Sequence, residues 1–264
     1  MLTFLPHQRA QPAPANPHDD EPAFGPRTSR RHPGRGATVA WTMPTRIAER
    51  RARMREVGAG LFAREGVNGV AVLDVARAAD APVSASAHGY RRRQDLLFDI
   101  LHAYVDALHE YAGDADEAHQ ADPPERRMVE VIAALLEGLD DHRDAHELMK
   151  PVFPTLADDQ REALRYLTRT LIYRLAPILD QAVPGIGQRH DLRSPLLQSL
   201  LGMTSHAPAW FREGGPLSRR DYAALVSRVI IEGGRMALVS GVMPAAKRPD
   251  MESECRDGHG RAAD

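Results

Sequence analysis

The sequence predicts an all-α protein of two modules, a basic N-terminal one of three short helices and an acidic C-terminal one of longer helices, and three observations lead there. Apolar residues between about 43 and 243 recur at three- and four-residue steps, the spacing of helices that bury one face. β-Branched runs are short, so strand signals are scarce. Charge is divided unevenly: residues 46–93 hold ten arginines and five acids, a net of +5, whereas residues 94–243 hold fifteen basic and twenty-three acidic residues, a net of −8. The chain total of −2 hides this split. A basic module joined to an acidic one suits a protein whose first part alone meets a polyanion, although such clusters also occur as plain solvated helix faces.

The two ends read differently from the middle. Residues 1–42, with HQRAQPAPANPHDDEP and GPRTSRRHPGRG, are rich in Pro, Gly and charge and cannot bury enough apolar surface to offset ordering, so they are expected to be disordered. Residues 244–264 have the same character. Met43 stands just before the first helix, which leaves two readings of the leading segment open: a real N-terminal arm, or a translation start assigned too early. The start MLTFLPHQRAQPAP lacks the apolar run of a secretory signal, and no stretch of about 18 apolar residues exists to cross a membrane. The single cysteine, Cys255, lies in the tail, which excludes an intrachain disulfide and a cysteine-based zinc site. These features together lead to the expectation of a cytoplasmic protein with no membrane partner and no cofactor.

In the basic module the first helix carries Ile47, Met54, Val57, Leu61 and Phe62 on one stripe, with Arg50, Arg51, Arg53 and Arg64 pointing elsewhere, and Gly66 is its stop signal. A short second helix carries Val72, Val75, Ala76 and Ala79. Asp80 follows where a sharp turn demands a residue tolerant of the left-handed region, which Asp can supply at more cost than Gly. Pro82 fits the first turn of a third helix, Pro82 to Gly89, and Arg93-Gln-Asp-Leu-Leu opens a long fourth. Three short helices with a tight turn between the second and third form a helix-turn-helix, the arrangement that lays a recognition helix in the major groove.

Residues 54–97, MREVGAGLFAREGVNGVAVLDVARAADAPVSASAHGYRRRQDLL, resemble the DNA-binding domain of the TetR family throughout the motif. The LFAREG end of the first helix, Val72-x-Asp74-Val75-Ala76 in the second, Tyr90 closing the third and Arg93 before Leu96-Leu97 carry the likeness. It implies a helix-turn-helix DNA-binding domain at 43–92 and a helical ligand-binding and dimerisation domain at 93–243. The departures fall where DNA contact is expected: Val70 and Ala71 replace the usual Thr or Ser, Asp80 the turn Gly, Ser86 an apolar anchor and Ala87 a phosphate-binding Tyr. The base-reading candidates are Val83, Ser84 and His88, with Val83 suited to a thymine methyl. The phosphate candidates are Arg46, Arg50, Tyr90, Arg91, Arg92 and Arg93, the Arg triplet standing in for the missing Tyr. Each also has a plain structural alternative, a solvated charge for the arginines and a capping or packing role for His88.

The acidic module reads as amphipathic helices near 93–113, 124–140, 143–156, 158–182, 192–211 and 218–240, with no fixed repeat. Leu192, Leu196, Leu197, Leu200, Leu201 and Met203 form one broad apolar face, and Tyr222, Leu225, Val226, Val229, Ile230 and Met236 another. Paired with their copies, the last two helices would make a four-helix homodimer interface; a monomeric core is the alternative. Residues 200–233 are similar to the C-terminal end of TetR-type regulators of steroid and fatty-acid breakdown, through Trp210, Phe211, Gly214, Gly215, Leu217 and Ser218. Ser205, His206 and Ala207 depart from the Asn-Trp-Thr many of those relatives carry. The likeness implies an acyl-CoA effector, its acyl arm among helices 124–140 and 158–182, with Arg165, Arg169 or Arg174 near the phosphates and Trp210 at the ligand end.

Catalysis is not expected. Asp99-x-x-His102 and Asp106-x-x-His109 repeat a carboxylate–histidine pair, but seven residues of one helix separate them by about 10 Å, too far for one dinuclear centre. His142 and His146 beside Glu147 lack the order of a zinc hydrolase, and no nucleophile elbow, phosphate loop or dinucleotide fingerprint occurs. The function implied is a ligand-responsive transcriptional regulator, a repressor released from a near-palindromic operator by its effector. The rival is a regulator-like dimer that has lost specific DNA binding and acts as a ligand- or protein-binding module, and the altered third helix is what motivates it.

Overall fold

The computed structural model describes residues 42–82, 89–212 and 214–240, with side chains from Ile47 onward. The expectations for residues 1–41, for the greater part of the third helix and for residues 241–264 fall outside that range. Every regular element among the described residues is helical: α1 (Thr42–Glu65), α2 (Val72–Ala78), α3 (Arg93–Ala118), α4 (Pro124–Asp141), α5 (Arg143–Val152), α6 (Asp158–Arg174), α7 (Ala176–Ala182), α8 (His190–His206) and α9 (Arg219–Ser240), with 3-10 turns at Phe153–Thr155, Ile186–Gln188 and Ala207–Ala209. The all-α expectation holds for these elements.

Local chemistry explains the basic segment. α1 stops because Gly66 takes a φ of 80°, and α2 ends on Asp80 at a φ of 51°, the left-handed turn the sequence called for. Asp80 is the one described non-glycine residue with positive φ. At the start of α2 the Asp74 carboxylate accepts the Ala71 N–H at 3.1 Å, while Ala71 has no side-chain oxygen to return the bond. α2 thus has half of a capping box. Met54 and Phe62 of α1 are buried in one cluster with Val75, Ala76 and Leu96, and Val57 and Leu61 pack against it. Ile47 departs from the expected stripe: it is 46% exposed.

The acidic segment is arranged around α4, which packs against α3, α7, α8 and α9. Met128, Val131 and Ile132 on α4 are completely buried and Leu135 nearly so, each burial contributing about 1.5–3 kcal/mol. Arg127 on α4 meets Asp116 on α3 at 2.6 Å, tying the two helices beside that core. α1 in turn packs on α3 and α5, so the basic segment rests on the first and third helices of the acidic one.

Several helix limits differ from expectation for reasons that the sequence carried. The fourth helix runs on to Ala118 rather than 113. Pro154 and Pro177 each occupy the first turn of a new helical element, so 143–156 divides into α5 and a 3-10 turn, and 158–182 divides into α6 and α7. The expected 192–211 helix is α8, starting at His190, followed by the 3-10 turn that Pro208 opens.

Candidate nucleic-acid interface

The polyanion-binding expectation rested on nine residues, and the structure separates them. Val83, Ser84 and His88 lie outside the described residues, and so does the Arg46 side chain, whose backbone belongs to α1. Arg91 and Arg92 are exposed in the bend that leads into α3, and Arg50 is partly exposed on α1. None of these three makes an ion pair among the described residues, which leaves their guanidinium groups available to a phosphate. Arg93 is engaged instead: its guanidinium donates to the Asn68 carbonyl and to Asn68 Oδ1, both at 3.4 Å, and so braces the loop between α1 and α2. The Arg92 N–H is taken by Asp95 Oδ2 at 3.0 Å, which fixes the start of α3 and turns the Arg92 side chain outward.

Tyr90 departs furthest from expectation. Gly89, at a φ of 80°, turns the chain inward, and Tyr90 is only 2% exposed. Its hydroxyl donates to Asp99 Oδ2, its oxygen accepts from Arg51 Nε at 3.3 Å, and the Arg51 guanidinium lies 5.1 Å from the ring centroid. A hydroxyl held in this way points into the protein rather than at a phosphate, so the phosphate contact drawn from the sequence is corrected to an internal one. Burial, with the Asp99 bond second, pushes the Tyr90 hydroxyl up to about 12. Asp99 also receives Arg51 Nη2 and Arg55 Nη1, both at 3.2 Å. Burial pushes its carboxyl up, but the Tyr90 bond and the two arginines more than offset that and hold it below the usual carboxylate range. Sequence reasoning gave Asp99 only a place in a rejected metal pair, because its partners stand 9, 44 and 48 residues away.

Arg165, Arg169 and Arg174 are exposed along α6. Glu162 pairs with Arg165 at 3.5 Å and Arg169 at 3.9 Å, and Arg165 also covers the Phe153 ring at 5.3 Å. Arg174 stands over Gly113 of α3 instead, so only the first two share one acid. Trp210 is 47% exposed and meets Tyr222 edge-on at 5.0 Å. A separate cleft of about 420 Å³ opens where α1 and its following loop face α5, lined by Phe62, Val67, Asn68, Glu147, Leu148 and Pro151.

The two broad apolar faces expected of the last helices divide. Leu192, Leu197 and Leu200 of α8 and Tyr222, Val226 and Ile230 of α9 turn into the core, while Leu225, Val229 and Met236 of α9 remain exposed. Ser218 caps α9 fully: its Oγ donates to Asp221 Oδ2 at 2.6 Å and accepts the Asp221 N–H at 3.1 Å. Three of the four histidines weighed as ligands have polar partners. His102 Nδ1 lies 2.7 Å from Asp106, His109 Nε2 2.9 Å from the Leu167 carbonyl, and His146 Nδ1 2.8 Å from the Tyr104 hydroxyl. Burial pushes the His146 imidazole below its ordinary value, which favours the neutral ring that accepts from Tyr104.

Residues 121–233 match a family described as the tetracyclin repressor-like C-terminal domain. The chain is similar to the HTH-type transcriptional repressor KstR2 of Mycobacterium tuberculosis, 21% identical over 189 residues that span 71% of this chain and 94% of the relative. Among solved structures it resembles a TetR-family transcriptional regulator from Bordetella parapertussis 12822, with a TM-score of 0.58 and 26% identity over 68% of this chain and 93% of that one. It also resembles AibR in complex with isovaleryl coenzyme A and operator DNA, with a TM-score of 0.51 and 19% identity over 68% of this chain and 97% of that one.

Proposed function

We propose that the chain is a TetR-family transcriptional regulator that acts as a homodimeric repressor, binds a near-palindromic operator and leaves it when an acyl-CoA thioester binds, a reading that the matched C-terminal family and the similar repressor and regulator support. Residues 43–92 are the DNA-binding domain and 93–243 the effector and dimerisation domain. The observation that carries this reading is the unpaired set of partly exposed Arg50 and exposed Arg91 and Arg92 on a segment of net positive charge, joined to a segment of net negative charge. Arginines without a carboxylate partner are free to displace counterions from a phosphate backbone. Base reading falls to Val83, Ser84 and His88, with Arg46 a further phosphate ligand.

The dimer forms through α8 and α9. Leu225, Val229 and Met236 lie on one exposed stripe of α9, an apolar surface that a second copy would cover. The two recognition helices then stand about 34 Å apart, one turn of B-DNA. The acyl arm enters among α4, α6 and α7, the CoA phosphates meet Arg165, Arg169 and Arg174, and Trp210 borders the ligand end. The two most relevant relatives bear on this only through what their names state, a repressor and a regulator captured with isovaleryl coenzyme A and operator DNA. Effector binding shifts α3, whose first turn adjoins Arg91 and Arg92, and a coupling of about 1–3 kcal/mol is enough to release DNA.

Two measurements test the reading. In mobility shifts at about 0.1 M salt, the duplex upstream of the chain's own coding sequence should bind saturably and better than random duplex. Equal binding to both leaves the rival, a dimer without specific DNA recognition. In thermal melts, a matching CoA thioester at 100 times its dissociation constant should add about 2.7 kcal/mol, and stabilisation by none of a panel of thioesters overturns the effector assignment.

A further inference from the structure

Three segments far apart in sequence meet on one oxygen atom. Asp99 stands on the second turn of α3, and its Oδ2 receives the Tyr90 hydroxyl, Arg51 Nη2 and Arg55 Nη1. Arg51 and Arg55 are four residues apart on α1 and so project from one face. Tyr90 is the second residue after the undescribed 83–88 segment and immediately precedes the exposed Arg91 and Arg92. The Asp99 side chain is 21% exposed, deep enough for its charge to be weakly screened, and three donors satisfy it. Arg51 closes the arrangement by reaching both the Tyr90 oxygen and its ring face.

A node of this kind does more than hold helices together. Apart from the Arg92 N–H bond to Asp95 and the Arg93 bonds to Asn68, α1 and the residues entering α3 meet α3 through nondirectional apolar contacts, which tolerate small sliding movements. Three charge-assisted or hydroxyl bonds to one atom do not, because each fixes a distance and an angle. A rotation or translation of α3 therefore carries Asp99, and with it Tyr90 and the chain direction of Arg91 and Arg92. The same bonds remove Arg51 and Arg55 from the pool of phosphate ligands, although composition alone would count them there.

We propose that Asp99 is a positioning residue for DNA binding: it sets the placement of Tyr90, Arg91 and Arg92 from the register of α3, and Arg51 and Arg55 serve that node rather than the nucleic acid. The proposal rests on the DNA-binding reading above only for its consequence, since the node itself is internal.

The test uses the full chain with D99N, Y90F, R51Q and R91Q substitutions. Without DNA, amide exchange at residues 90–93 should rise at least about tenfold in Asp99→Asn and a few-fold in Tyr90→Phe, which keeps the ring, while the amides of α4 and α9 stay unchanged. With the upstream duplex, Asp99→Asn and Arg51→Gln should weaken binding without changing the slope of log K against log salt, whereas Arg91→Gln should reduce that slope by about 0.9. Unchanged exchange at 90–93 in Asp99→Asn overturns the proposal, as does an Arg51→Gln slope loss equal to that of Arg91→Gln. If the wild-type chain shows no preference for the upstream duplex, the functional reading fails while the exchange result still decides the node.

Discussion

The basic and acidic segments are held by different physics. In the basic segment the buried side chains are few and many are small, among them Ala59, Ala76, Ala79 and Ala81, and long-range order comes from arginines: Arg51 and Arg55 on Asp99, Arg53 on the Ala79 carbonyl, Arg93 on Asn68. In the acidic segment Met128, Ile132, Leu164, Ile178, Leu179 and Leu197 are fully buried, and most ion pairs lie around the outside, as in Arg235 with Glu125 and Arg219 with Asp140, with Arg127–Asp116 the enclosed exception. Exposed pairs of this second kind contribute about 0–1 kcal/mol each. Arginine number is thus a poor guide to arginine role: where the core is thin the guanidinium groups fix geometry, and where it is thick most of them decorate it, Arg127 excepted.

The contrast can be broken most directly in the apolar half. Ile132→Ala should cost about 2–5 kcal/mol in urea denaturation, since the site is completely enclosed by neighbours that cannot all collapse into the space. A loss below about 1 kcal/mol would mean that the acidic segment is not held by its core. Next comes the surface that this core leaves uncovered. Leu225→Asp combined with Val229→Asp should raise the dimer dissociation constant at least about 100-fold, or ~2.8 kcal/mol, with helical content unchanged by circular dichroism. Sedimentation velocity reads it directly, and an unaltered dimer would place the interface elsewhere.

The smallest effect concerns a polar group inside the apolar half. Burial favours the neutral His146 imidazole and outweighs the Ser205 backbone bond that favours the charged ring, so its folded-state affinity for a proton is below that of the unfolded chain. Stability should therefore fall as pH drops below about 6.5, where the unfolded imidazole takes up a proton that the folded one refuses, and level off below the depressed folded value. The slope due to one such group is at most about 1.4 kcal/mol per pH unit. Melting followed from pH 7 to pH 5 should show a shallower decline in His146→Gln than in wild type, and equal slopes would show that the buried imidazole is not the source.

How much was legible beforehand depended on range. Signals that act within a few residues were read from the sequence: Gly66 as a stop, Asp80 in the left-handed turn, Arg93 as the start of a helix. Pro154 and Pro177 mark starts of new elements just as locally, but the apolar period continues through them and masks the breaks. The outward stripe of α9 was half legible: Leu225, Val229 and Met236 share a four- and seven-residue spacing, yet the same spacing links Tyr222, Val226 and Ile230 on the buried side.

The sequence by itself determined the helical class, the division of charge, the turns and caps, and the likeness to a family, because each is written in periodicity, composition or short-range backbone chemistry. Only the tertiary structure decided which arginines are free. Arg50, Arg51, Arg91 and Arg93 are the same residue within one basic segment, but Arg51 meets Asp99, Arg93 meets Asn68, and Arg50 and Arg91 face solvent. Those pairings form across tens of residues through the packing of α1 on α3, and no local pattern encodes a distance that the chain creates only by folding.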